Sequence, residues 1–378
     1  KVKDMQIYKS KEMCTGCSAC SNVCEKHAVK MTSDEKGFLY PVIDEEKCVE
    51  CGMCQRVCHT YKEEKRTCGE SAFAYVNENK RTLMESSSGG AFSFIANEIL
   101  GDQGFVCGAV LDENMKVKHI IADNKSEVSC MRKSKYVQSD IGNVYQKIKK
   151  LLITGEKVLF TGTPCQVIGL KTFLNKEYEK LFCVDIICHS APSPLIFEKY
   201  LLMKEKELGK IEGIDFRDKS NGYINYSVRF HTLDGDMLEE HKTNRYLQGF
   251  TGDLYSRDCC ENCPAKERVG YFSDITLGDL WGGEKFASEI DSSKGASLVV
   301  VHTLKGTSLM KNTSMVQVDL EEAIKNNPMY RFSHKKNKDA DSFWKIFSKK
   351  GLEAAYNYIY NPSLFRKIEM KVLKMRRK

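Results

Sequence analysis

Long apolar runs are missing: no stretch of the 378-residue sequence approaches the roughly 20 residues a membrane-spanning helix needs, which argues against an integral membrane protein. Low-complexity tracts are missing too. With 42% hydrophobic and 29% charged residues, the composition predicts a soluble globular protein rather than a disordered or fibrous one. No secretory signature precedes the cysteines, which disfavours a disulfide framework, although the chain starts at Lys1 rather than methionine and a trimmed leader stays open. No GxGxxG follows a strand-like run, so a Rossmann dinucleotide site is unsupported. Basic residues are nowhere interleaved with aromatics on one face, so a nucleic-acid partner is not expected.

The net charge of +7 is unevenly spread. Residues 320–378 carry fifteen Lys+Arg against six Asp+Glu, a surplus of nine, so residues 1–319 sum to minus two. The chain ends in a basic amphipathic helical pattern with Leu364, Ile368, Val372 and Met375 on one face. Such a helix suits peripheral contact with an anionic membrane surface or an acidic partner. The ordinary alternative, an apolar stripe packed on its own domain, is preferred because half-burial alone produces amphipathicity.

Cysteine is what the sequence has in quantity, with seventeen residues. Two copies of one pattern open the chain: Cys14-x2-Cys17-x2-Cys20-x3-Cys24 and Cys48-x2-Cys51-x2-Cys54-x3-Cys58. This is the ligand spacing of a bacterial two-cluster ferredoxin, in which the fourth cysteine of each run crosses to the other 4Fe-4S cube. Cys14, Cys17, Cys20 and Cys58 are therefore expected on one cluster, and Cys48, Cys51, Cys54 and Cys24 on the other. Glu25 and His59 stand where a proline usually follows the fourth cysteine. That proline binds no iron, so the ligand assignment is unaffected. Zinc sites more often pair two CxxC units across a longer loop. Paired clusters carry single electrons, and cysteines at this spacing point to a reducing cytoplasm, that of an anaerobe.

A charged stretch from Lys62 to Glu70 reads as a linker, after which strand-like runs appear. Residues 71–76 form a strand, and residues 86–90 (SSSGG) open a helix. Residues 104–111 and 117–122 form paired strands. Residues 157–160 lead into a turn with Thr163 as N-cap, Pro164 at the first helical position and Cys165 in the first turn. Residues 181–187 form a further strand ending at Cys188. This strand–helix–strand unit predicts a parallel pair with Cys165 and Cys188 beyond the carboxyl ends, where open α/β sheets bind ligands. Cys259, Cys260 and Cys263 follow later. Cys165, Cys188, Cys260 and Cys263 would suffice for a third 4Fe-4S cluster, with Cys259 spare, though buried cysteines are as often small hydrophobes.

Clusters move one electron, whereas organic donors deliver two as hydride, so a flavin is the expected converter. The small residues 86–90 at a helix start suit a phosphate, and residues 133–139 (KSKYVQS) could add a cation; each alone is also an ordinary loop.

Residues 86–92, 134–139, 160–170 (FTGTPCQVIGL), 188–194 (CHSAPSP), Cys260-x2-Cys263 and 273–282 (SDITLGDLWG) resemble, in order, the motifs of the coenzyme F420 hydrogenase/dehydrogenase beta-subunit family. The resemblance spans about residues 70–310, with the two-cluster module fused in front. It implies FAD, with FMN as the alternative, held near Ser87, Ser88, Gly89, Gly90, Lys135, Tyr136, Gln138, Ser139, Thr161 and Thr163. It also implies a third cluster on Cys165, Cys188, Cys260 and Cys263, and places Arg268 and residues 274–282 by the flavin or cluster pocket. Ser190 replaces the glycine that often follows Cys-His, and nothing in the sequence identifies a deazaflavin pocket.

The expected architecture is α+β or α/β and multidomain. Residues 1–66 form the ferredoxin-like module, 70–150 and 151–315 the two parts of an α/β flavin- and cluster-binding domain, and 316–378 a basic helical tail. The expected function is an iron-sulfur flavoprotein oxidoreductase, cytoplasmic, exchanging hydride between a small two-electron carrier and flavin and passing single electrons to a redox partner protein. Two alternatives are a ferredoxin-driven reductase of an organic, glycan-related substrate and a non-catalytic electron-input subunit. His189 reads as a structural histidine at a strand end, or as a residue that tunes the cluster.

Overall fold

The computed structural model describes residues 6–62, 69–266, 272–285 and 287–361. Most of the linker, Arg268 and the terminal amphipathic pattern lie outside these residues.

The N-terminal module is a hairpin of β1 (Val29–Ser33) and β2 (Leu39–Ile43), flanked by two short helices, Ala19–Val23 and Met53–Arg56. Its internal repeat is written in the backbone. Gly16 and Glu50, each two residues into its cysteine run, have φ of 68° and 55°, and Ser18 and Gly52 have 63° and 70°. Left-handed residues at matched positions let each loop curl so that backbone N–H groups can face a concavity, the backbone form of an anion site.

The main body is an eight-stranded sheet of β3 (Ser71–Tyr75), β4 (Phe105–Leu111), β5 (Val117–Ala122), β6 (Val158–Gly162) and β7 (Leu181–Ile186), then β11 (Ile275–Asp279), β12 (Ser297–Val301) and β13 (Val316–Val318). Between them in sequence, β8 (Ile211–Asp218), β9 (Ser227–Thr232) and β10 (Gly235–Glu240) form a separate antiparallel sheet. The large sheet runs β13-β3-β12-β11-β7-β6-β4-β5, with β4, β6, β7 and β11 parallel and the flanking strands antiparallel. Strands β7 and β12 are apolar and buried almost throughout, as strands covered on both faces must be. In β6, Leu159 joins the core under helix Ala91–Gly101, while Val158 and Phe160 join the opposite core under helices Val144–Ile153 and Pro164–Leu174. The period of two puts one helix layer on each face.

A third core is rich in aromatics. Tyr200, Phe216, Phe230, Tyr246, Tyr255, Phe343 and Tyr356 pack the small sheet against helices Pro194–Leu208, Arg245–Thr251 and Ala340–Tyr360, the last broken at Gly351 by a φ of 82°. The expected tail from residue 316 begins inside the body. β13 pairs with β3 along the sheet edge, because Val316 and Val318 can add to an otherwise open ladder.

The module is gripped by this body. Asn22 Nδ2 donates to Gly142 O at 2.8 Å, Gln146 Nε2 to Asn22 O at 2.7 Å, Gln138 Nε2 to Thr15 O at 3.0 Å and Ser193 Oγ to Lys36 O at 2.5 Å. Two glycines let the seam close: a Cβ on Gly37 would lie 2.4 Å from Leu195 Cβ, and a Cβ on Gly169 would lie 2.8 Å from Cys17 Cβ, 3.0 Å from its Sγ and 3.1 Å from the Tyr145 hydroxyl oxygen. Gly169→Ala is expected to lift the module from helix Pro164–Leu174 and cost about 1–3 kcal/mol as an overpacked contact. A lowered urea midpoint would show this; an unchanged one would mean the seam is soft.

Candidate functional site

The structure brings the N-terminal cysteines into two sets. One cavity is lined by Cys14, Cys17, Cys20 and Cys58, with Tyr8, Thr15 and His59. Cys54 has Cys48 and Cys24 as electrostatic neighbours. Cys14 and Cys20 are buried and Cys17 neighbours Cys165, so the first set faces the body; in the second set Cys54 is buried but Cys51 is exposed, so that set reaches solvent on its Cys51 side. Ala28 N donates to Cys24 Sγ at 3.3 Å, and Thr60 Oγ1 lies 3.1 Å from Cys58 Sγ.

Three separate segments bring four more cysteines together. Cys165 sits in the first turn after β6, where Thr163 and Gln166 form a capping box and Pro164 takes the first helical position. Cys188 follows β7. Cys260 and Cys263 arrive on a loop whose backbone is tied in by Arg257 N donating to Ala191 O at 2.9 Å and Cys260 N donating to Arg257 O at 2.9 Å. Cys188 has Cys260, Cys165 and Cys263 as electrostatic neighbours, and Cys165 is also a neighbour of Cys17. Ala191 N donates to Cys260 Sγ at 3.4 Å, Thr163 Oγ1 lies 3.2 Å from Cys165 Sγ, and Lys266 Nζ donates to Cys188 O at 2.6 Å. The spare Cys259 is buried and hydrogen-bonds Cys260, holding the Cys260 thiol below its usual range. Burial pushes Cys165 and Cys17 up to about 12 and Cys263 up to about 11, so iron would have to displace protons on binding.

A zinc ion would draw four ligands around one point. Among the described residues no three His, Cys, Asp or Glu groups converge to hold a single ion. The cavity lined by Cys14, Cys17, Cys20 and Cys58 fits a cube that offers each thiol its own iron corner. His189, beside Cys188, is held by Asp253 at 2.9 Å, and Asp253 also faces His334 Nδ1 at 3.3 Å and Ser256 Oγ at 3.3 Å.

The residues expected around a flavin occupy one strip along the carboxyl ends of the strands. Ser134 N and Oγ meet Ser87 Oγ at 2.8 and 3.2 Å, so the segment 133–139 starts at the Ser-Gly loop. It ends at the N-terminal module, where Gln138 is spent on Thr15 O and on Arg257 Nη1 at 3.0 Å. In between, Lys135 Nζ donates to Cys130 O and Arg132 O at 2.9 and 2.6 Å, and burial lowers it to about 7. Tyr136 stacks on Phe250 at 4.8 Å, and Ser139 Oγ accepts from Gln166 Nε2 at 2.9 Å. Thr161 Oγ1 donates to Cys107 O at 3.0 Å. The Ser-Gly loop itself is packed rather than open: Ser86 Oγ donates to Thr82 O and Ser88 Oγ to Ala296 O, at 2.6 and 2.7 Å. A Cβ on Gly89 would collide with Tyr75 O, so β3 already requires that glycine. Gly90, at a φ of 85°, caps helix Ala91–Gly101.

Three cations went unnoticed in the sequence. Lys219, 2% exposed, donates to Leu83 O, Ser88 O and Lys294 O at 2.7–2.8 Å and so clamps the Ser-Gly loop. Arg217, 3% exposed, donates through Nη1 to Asp279 at 2.5 Å and lies 4.9–5.4 Å from the rings of Tyr226, Trp281 and Tyr223. Its Nε and Nη2 have no hydrogen-bond partner. Tyr136 lies within electrostatic reach of the same guanidinium. A buried cation with unspent donors among aromatic walls fits a planar, electron-rich ligand. Arg257 is the third. Within residues 274–282, Asp279 faces Arg217, but Asp274 is architectural: its carboxylate accepts from Cys183 N at 2.8 Å and Thr303 Oγ1 at 2.6 Å.

Residues 155–325 match the family model for the C terminus of the coenzyme F420 hydrogenase/dehydrogenase beta subunit, and residues 13–61 match a 4Fe-4S dicluster domain. A chain of the F420-reducing NiFe hydrogenase complex from Methanosarcina barkeri is similar at 15% identity and a TM-score of 0.46, over 80% of this chain and 96% of that one. The comparison with curated proteins returned no match. Among the described residues no helix is long and apolar enough to cross a membrane.

Lys219→Met is expected to leave three carbonyls unsatisfied and to cost about 3 kcal/mol, read as a lowered urea midpoint. His302, whose Nε2 lies 2.8 Å from Thr276 Oγ1, is lowered by burial from 6.5 to about 4. The unfolded chain therefore binds the extra proton between these values, and stability should fall by up to about 3 kcal/mol as pH drops from 6.5 to 4. Urea midpoints across that window should fall less steeply in His302→Gln.

Proposed function

We propose that this chain, a 4Fe-4S dicluster domain joined to the C-terminal region of a coenzyme F420 hydrogenase/dehydrogenase beta subunit, is an iron-sulfur flavoprotein oxidoreductase. It would exchange hydride with a two-electron carrier, reduced coenzyme F420 being the first candidate, and deliver single electrons to a redox partner protein. The two family matches support iron-sulfur electron transfer; flavin, hydride exchange and the identity of the carrier are the added reading.

One observation carries it: four thiols from three segments meet beside Cys17, at the seam between the dicluster domain and the strip 133–139. Cys165, Cys188, Cys260 and Cys263 would hold a third 4Fe-4S cluster. Ser87, Ser134, Lys135, Tyr136, Thr161 and Thr163 would line a flavin site, with Arg217 offering two free donors and a positive charge between aromatic walls. When bound, flavin supplies the conversion between hydride and single electrons, so no side-chain nucleophile is required. The choice of FAD over FMN follows the family resemblance. The chain's own part is to bind, to orient and to keep the thiol sets close. Gly169 does the last by letting Cys17 reach the helix that carries Cys165 in its first turn.

Anaerobically reconstituted protein is expected to hold about twelve irons per chain, falling to about eight in Cys165→Ala/Cys188→Ala. Bleaching of flavin and cluster bands by reduced F420 would support the carrier and the inward direction of electron flow. Bleaching by dithionite alone would replace that carrier with an external ferredoxin that drives reduction of an organic substrate. Colourless protein with bound zinc would overturn the redox reading altogether.

A further inference from the structure

Arg257 is 0% exposed, and its side chain and backbone belong to different sites. Its backbone lies in the loop that presents Cys260 and Cys263, bonded to Ala191 O and to Cys260 N. Its guanidinium crosses into the dicluster domain: Nε donates to Cys14 O at 2.7 Å, Nη2 to Leu39 O at 2.9 Å and to Cys14 Sγ at 3.8 Å, and Nη1 to Gln138 Oε1 at 3.0 Å. The Tyr40 ring covers it at 4.1 Å. Gly16, at a φ of 68°, leaves room for it, since a Cβ there would lie 2.9 Å from Nη1.

Every full-strength acceptor in this set is neutral, so the hydrogen bonds fix the guanidinium without cancelling its charge. The adjacent carboxylate, Asp258, is turned to Lys36 at 3.0 Å. The ionisable groups that face Arg257 most strongly are Cys259, Cys14, Tyr40 and Cys260, with Cys165 and Tyr8 also in reach. A buried cation needs a counter-charge. The candidates here are the thiolates of two different cysteine sets.

We propose that Arg257 is the electrostatic positioning residue of the electron path, raising the reduction potential of the cluster held by Cys14, Cys17, Cys20 and Cys58 above that of the solvent-facing one. The inference rests on the iron-sulfur reading above. In the step concerned, one electron leaves one cluster and enters the next, with no bond or proton changed. The accepting cluster gains one negative charge, and a fixed cation in a low-dielectric seam favours that state. The inner cluster is thereby made the first acceptor for electrons arriving from the Cys165 side.

The test is an EPR-monitored redox titration with dithionite and mediators on full-length, cluster-loaded protein, so no substrate is needed. Arg257→Gln should make the inner cluster at least tenfold harder to reduce, a fall of about 59 mV for one electron, and leave the outer cluster unmoved. Arg257→Lys should recover part of the shift. Unmoved potentials, or an equal fall in all clusters, would overturn the assignment. Should Arg257→Gln lose its clusters, Gly16→Ala displaces the guanidinium while keeping its charge in the chain. A lowered inner potential in Gly16→Ala supports the proposal, and an unmoved one sinks it. Wild-type protein that binds no iron or sulfide would instead defeat the iron-sulfur reading itself.

Discussion

The contact between Cys17 and Gly169 is the constraint from which most of the architecture follows. Here a loop and a helix from distant parts of the sequence, each carrying a cysteine, meet with no side chain between. Glycine on the helix permits this, and the capping box at Thr163 places Cys165 at the end of that same helix. The parallel strands β6 and β7 then fix the distance from Cys165 to Cys188, because both residues leave neighbouring strands at the same edge. The core of the sheet therefore serves the seam: changing the register of β6 would flip Phe160 and move the cysteine that follows it.

Polar groups around the site divide by what they bond. Lys219, Asp274, Gln138 and the serines of the Ser-Gly loop are consumed by backbone partners and hold the walls together. Arg217 stands apart with two donors unspent, and Arg257 with its donors satisfied by neutral acceptors and its charge facing cysteines and Tyr40. The first state suits a group that departs and returns. The second suits one that stays.

The cysteine spacing was legible because iron imposes local sequence periodicity, and the turn at Thr163 because capping chemistry is local. β4, β6 and β7 could be read from apolar runs that largely buried strands require, and β3 and β5 from shorter apolar runs beside turn residues. Arg257 and Arg217 could not, since their partners lie far away in sequence and an isolated arginine carries no pattern; the signal for Arg217 was confined to its aromatic neighbours. β13 was hidden in a stretch judged by its charge, although three residues pairing with β3 suffice to close an edge. The Ser-Gly loop was read as a phosphate cradle because small residues before a helix permit one. Gly89 is required there by Tyr75 O, a contact between segments that no window of sequence displays.

Redox domains joined by a linker can serve as swinging arms that carry charge from one station to another. The dicluster domain here is anchored along several sides at once, by Asn22 on Gly142, Thr15 under Gln138, Lys36 beneath Ser193 and Cys17 against Gly169. Releasing it would expose unsatisfied carbonyls and the buried Arg257 together. It behaves as a fixed socket: the exposed Cys51 side stays at one place on the surface. Under the proposed function, the electron acceptor comes to the socket rather than the socket to the acceptor.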